Sequence, residues 1–130
     1  MIGYEYTLST TFPLRALREM WILGEYYHNG LGETDPLRYR PAILLGGREI
    51  ALAKNYLGLG LQKELHPLVN AELHQVLNLD DDSHFLNAAL AWNAVKNLYL
   101  TAGIERFAGS KRSEFGRAAN LLYLQGQYFF

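Results

Sequence analysis

HFLNAALAWNAVKNLYLT, His84 to Thr101, is the stretch on which the reading of the chain turns. Plotted at helical spacing, Phe85, Leu86, Leu90, Trp92, Val95, Leu98 and Tyr99 cover most of the circumference. Asn93, Asn97 and Thr101, with Lys96 nearby, leave one narrow polar stripe. A helix apolar on nearly every side is surrounded by other elements. Asp82 or Ser83 stands where such a helix needs a cap, and the aspartates of LDDDSH place negative charge at the positive end of its dipole. The window from Phe85 to Ile104 is the most apolar in the chain. It carries Asn87, Asn93, Lys96 and Asn97, too many polar groups for a membrane span, so it reads as a buried helix.

Working outward, the same periodicity predicts further helices. From Pro13, residues Leu14, Leu17, Trp21, Gly24 and Tyr27 or His28 share a face, with Thr10 or Thr11 as cap. Ile50, Ala53, Leu57 and Leu61 recur at three or four, Pro67 opens another helix running to Leu79, and RAANLLYLQGQYFF forms the last. NGLGETDP is the clearest loop, and RYRPAILLGG reads as extended or a turn. Only the amino terminus has a two-residue period, with Ile2, Tyr4, Tyr6 and Leu8 alternating with Gly3, Glu5, Thr7 and Ser9. Such a strand pairs either with AILL (Ala42 to Leu45) or with a neighbouring subunit. The expected fold is therefore mainly α. It is a compact bundle of about five helices over residues 13–130, a single helical domain, preceded by an extended arm or edge strand at 1–12.

Leu23, Gly24 and Tyr27 resemble the L-G-x-x-Y element of a tetratricopeptide repeat, whose period is about 34 residues. One such step from Gly24 reaches Gly58, with Leu57 before it and Leu61 after it. Later steps reach Trp92, with Val95 keeping the apolar place, and Gly126, with Phe129. The resemblance implies helical-hairpin repeats from about Leu14 to Phe130. It fails in the first unit, where Pro36, Pro41, Gly46 and Gly47 fall in the second helix.

Composition narrows function. With 12 basic and 13 acidic residues the chain lacks the positive excess that general nucleic-acid binding needs. It has no cysteine, which removes disulfides, thiolate metal sites and cysteine nucleophiles. MIGYEYTLS is not a secretory signal, so an intracellular, cytoplasmic location is the default expectation, with a virus particle the other setting considered. His66, Asn70 and His74 are spaced by four, which puts the two imidazoles too far apart for one metal. Asp80, Asp81 and Asp82 lack the spacing of a calcium loop and read as a cap. LLGGREI lacks the further glycines, lysine and hydroxyl of a phosphate loop. Arg38, Tyr39, Arg40 and Arg48, and the segment SKRSEFGR, read as solvated loop charge. No catalytic, cofactor or metal residue is assigned.

What remains is surface. Hydrophobic residues make up 49% of the chain against 19% charged, more ring-bearing side chain than one small helical globule hides. The sequence thus points to a non-enzymatic protein-interaction or assembly subunit of a larger complex, a virus particle or multi-subunit machine included. Tyr4, Tyr6, Tyr128, Phe129 and Phe130 would meet protein partners, copies of itself among them. The competing reading is a small ligand-binding protein or enzyme with an aromatic pocket served by His74, His84 or Arg48.

Overall fold

The computed structural model describes residues 1–40 and 51–130, and among these it contains no α-helix. Seven strands pair in sequence order as one antiparallel sheet: β1 (Ile2–Thr7), β2 (Trp21–His28), β3 (Asn55–His66), β4 (Val69–Asn78), β5 (His84–Val95), β6 (Leu98–Ala108) and β7 (Leu121–Tyr128). The expected helical bundle is replaced by a meander, in which each strand pairs with its sequence neighbour. Three 3₁₀ turns, Arg15–Leu17, Pro36–Arg38 and Phe115–Arg117, lie in the connections.

The connections differ between the two ends. At one end Pro67 and Leu68 join β3 to β4, and Lys96 and Asn97 join β5 to β6; Asn97 adopts φ 67, the left-handed geometry of a tight hairpin. The 8–20 connection lies at this end too. The other end carries the 29–54, 79–83 and 109–120 connections.

The register explains why these residues pair. One ladder of partners crosses the whole sheet as Tyr6, Ile22, Leu61, Leu73, Ala88, Ile104 and Leu122, apolar at every strand. One residue along each strand, the next ladder reads Glu5, Leu23, Gly60, His74, Asn87, Glu105 and Leu121, and on the other side Thr7, Trp21, Gln62, Glu72, Ala89, Gly103 and Tyr123. Side chains alternate between faces along a strand, so the sheet has one apolar and one mostly polar face.

His84 to Thr101, expected as one surrounded helix, is instead β5, a tight turn and the start of β6. Leu86, Ala88, Leu90 and Trp92 point to the apolar face, while Phe85, Ala89 and Ala91 on the other face blur the alternation into all-round hydrophobicity. The arm's partner is β2, itself expected to be helical. The AILL candidate strand, LLGGREI and Arg48 lie outside the described residues. The repeat resemblance is overturned as well. Gly24 and Gly126 sit on the apolar face and Gly58 on the polar face, all within strands, so their common spacing reflects no common structural place.

Gly103 has a local reason. A Cβ there would run into the Tyr123 ring, which lies across the glycine while its hydroxyl donates to Asn87 Oδ1 at 3.1 Å. Gly103→Ala is expected to displace that ring, break the hydrogen bond and cost about 1 kcal/mol. Denaturant unfolding checks the loss, and a smaller penalty from the same change in a Tyr123→Ala background ties it to the ring.

Candidate functional site: two faces and a loop cap

The layering is inverted relative to a water-soluble protein. Among the described residues the buried hydrophobics are only Tyr39, Ala51, Leu52, Ala53 and Tyr56, and the largest fully buried side chains are the polar Asn78, Ser83 and Ser113. The apolar face stands open: Tyr4 is 72% exposed, Leu90 50% and Leu122 and Leu124 78% each. Exposed hydrophobics are normal singly, but a contiguous apolar face over seven strands marks contact with something other than water.

Charge is sorted between the faces. Every glutamate in the strands, Glu5, Glu25, Glu64, Glu72 and Glu105, lies on the polar face. The strands' two cations, Lys63 and Arg106, lie on the apolar face towards opposite ends. Lys63 does not stand as a free charge: its ammonium donates to the carbonyls of Ala16 at 2.6 Å and Arg18 at 2.9 Å. Rings mark that face's margins, with Trp92 and Tyr128 towards the tight turns and Tyr26 towards the long loops.

The long loops fold onto the polar face at their own end. Glu114 accepts from Tyr56 Oη at 2.6 Å, Asn78 Nδ2 at 2.9 Å and the Leu52 amide at 3.1 Å, so one carboxylate fastens the 109–120 connection to two strands and to the 29–54 connection. Asn78 Nδ2 also donates to Tyr39 Oη, and Asp81 accepts from the Glu114 amide at 2.8 Å. Asp80 accepts from the amides of Lys54 and Asn55, each at 2.8 Å. The acidic run read as a helix cap therefore serves loop and strand amides instead. Burial pushes the Tyr39 and Tyr56 hydroxyls well above the usual phenol range, reinforced for Tyr56 by donation to Glu114.

The residues singled out in sequence scatter over this frame. Tyr4 and Tyr6 stack at 6.5 Å on the apolar face of β1, while Tyr128 lies on the same face at the far edge, beyond five intervening strands. Phe129 meets the Tyr99 ring edge-on at 5.8 Å, and Phe130 is fully exposed. His74 and His84 occupy opposite faces of the sheet, so they do not converge on a pocket. His66 ends β3, and His74 Nε2 lies 3.9 Å from Glu72. The cap residues Tyr39, Tyr56, Asn78 and Glu114 carried no local signal, because the bonds among them join positions up to 58 apart in sequence.

Comparison with protein-family models, with curated proteins and with solved structures returns no match. No helix among the described residues is long and apolar enough to cross a membrane.

Glu114→Ala strands the Tyr56 hydroxyl and an Asn78 proton and is expected to cost about 2 kcal/mol, with Glu114→Gln intermediate. Loss of protection at the Leu52 amide, read by hydrogen exchange, locates the effect in the cap. The raised phenols add a pH dependence. Above about pH 10 the unfolded chain releases tyrosine protons that the folded chain still holds, so stability falls as pH rises. Denaturant midpoints between pH 8 and about 11.5 should show this fall, and Tyr56→Phe should flatten it.

Proposed function

We propose that this sheet is part of the wall of a membrane-spanning antiparallel β-barrel, with its apolar face against lipid acyl chains and its polar face towards the lumen. The observation that carries the reading is the inverted alternation held in register over seven strands. Barrels that cross membranes alternate apolar-out and polar-in along strands of about 9–11 residues, with short turns on one side, longer loops on the other and aromatic rings at the interfaces. Strands β3 to β6 run 12, 10, 12 and 11 residues.

The polar residues of Phe85 to Ile104 argue against a membrane span only if the segment is a helix, and it is a hairpin. In a hairpin, Asn87 and Asn93 face the polar side and Lys96 and Asn97 form the turn, so none of the four meets lipid. In this reading the expected intracellular location gives way to a membrane. The interaction-subunit reading keeps its premise, that Tyr4, Tyr6 and Tyr128 meet something beyond the protomer, with lipid taking the place of protein.

The two tryptophans provide the test, because Trp92 lies on the apolar face and Trp21 on the polar face. In phosphatidylcholine vesicles with brominated acyl chains, the Trp21→Phe variant should be strongly quenched and the Trp92→Phe variant weakly. A vesicle-bound chain whose two tryptophans quench alike defeats the proposal. A water-soluble oligomer with an unquenched Trp92 favours the protein-assembly reading. Neighbouring exposed residues of β7 give a second check. Leu124→Arg should destabilise the vesicle-bound fold by about 2–4 kcal/mol near mid-membrane, whereas Gln125→Arg on the lumen face should change it little.

A further inference from the structure

Among the described residues the sheet ends at two open edges, since β1 pairs only with β2 and β7 only with β6. Every pairing is antiparallel, so odd-numbered strands share one direction, and β1 and β7 therefore run parallel to each other. Joining them directly would place one parallel pair in an otherwise antiparallel barrel. A second copy inserted with the same orientation does not help, because its β1 would again meet this β7 in parallel. Two copies can pair antiparallel only as β1 with β1 and β7 with β7. That turns one copy over and sends its long, capped loops to the opposite side of the membrane.

We infer that the gap between β7 and β1 is filled by an odd number of further strands, at least one, running antiparallel to both edges and not supplied by another copy of this sheet. The inference rests on the membrane reading, since hydrocarbon does not tolerate the unpaired N–H and C=O groups of an open edge, whereas water does. The chemistry of the missing strand follows from its neighbours. Its outward residues continue the apolar rows begun by Tyr4 and Tyr6 on β1 and by Leu122 and Leu124 on β7. Its alternate residues continue the polar face of Glu5 and Gln125. Strand direction, loop side and face all point to the same kind of partner.

The chain contains no cysteine, so an introduced pair of thiols reports cleanly. In vesicles, the oxidised double variant Tyr4→Cys/Leu124→Cys should form no disulfide within or between copies. Its 2–7 and 121–128 amides should exchange at least tenfold faster than those of β4. Appending an Asn-Gly turn and a copy of residues 98–108 after Phe130 should supply the missing strand and protect both edges. A disulfide joining the two introduced thiols within one chain, the same bond between copies, or edges that stay exchangeable beside the appended strand would each overturn the inference. Trp92 quenching in the same vesicles is read independently. A quenched Trp92 together with a disulfide between the two edges defeats only the closure argument, whereas an unquenched Trp92 in the variant carrying the appended strand defeats the membrane reading itself.

Discussion

The constraint from which the rest follows is the unbroken antiparallel ladder. Once each strand hydrogen-bonds its sequence neighbour, the paired stretches between β1 and β7 satisfy one another's backbone groups and every strand side chain is assigned to one of two faces. A slip of one residue at any strand would carry its leucines among the glutamates. Register is therefore fixed by the same segregation that makes the apolar face continuous. Irregularities are confined to the tight-turn end, where the pairing shifts between Glu64 and His66 and between Asn93 and Val95. Bulges at a sheet's rim end the pairing without disturbing the ladders between.

Because the strands place most of their leucines outward, burial falls to the loops. Tyr39, Ala51, Leu52, Ala53 and Tyr56 form the small core at the long-loop end, with Tyr27, Val76 and Phe115 packed against it. Its polar groups are dense and almost wholly paired, the carboxylate of Glu114 alone taking three donors. A cap of this kind is specific but brittle: removing one acceptor leaves donors on three segments without partners. The tight-turn end depends on backbone geometry instead, at Pro67 and Asn97, and its one long connection is tied down by Lys63 and by Arg18 donating to the Phe12 carbonyl at 2.8 Å. The two ends thus draw on different physics, side-chain networks at one and turn chemistry at the other.

Part of this was legible in the chain. The alternation of Ile2, Tyr4 and Tyr6 predicted an extended arm because Gly3, Glu5 and Thr7 leave no ambiguity. In β3 and β4 the apolar residues Leu57, Leu61 and Leu65, and Val69, Leu73 and Leu77, recur every four positions, a spacing shared by a helix face and a strand face. What separates the two is the residue between, Leu59 against Gly60 and Ala71 against Glu72, and these favour the strand. Leucine and alanine are also good helix formers, so propensity and period disagreed, and pairing with neighbours decided the outcome. The excess of exposed rings was readable from composition, but the face they share was not, since it depends on register. The cap could not be read at all, because its bonds close between distant segments.

The apolar face and the open edges look like separate defects, yet each solvent relieves only one of them. In water the edges of β1 and β7 are solvated at little cost, while each leucine left bare forgoes about 1.5–3 kcal/mol of burial. In hydrocarbon the face is satisfied, and the unpaired edge groups cost several kcal/mol each. A soluble protein partner would relieve the face with the edges still solvated by water, but it would have to be large enough to cover seven strands. Closure of the sheet within lipid relieves both, and it leaves the five glutamates of the polar face in the water-filled interior, where their charge has a solvent. The sorting of every strand glutamate to one face and of most strand leucines to the other is what makes that arrangement consistent.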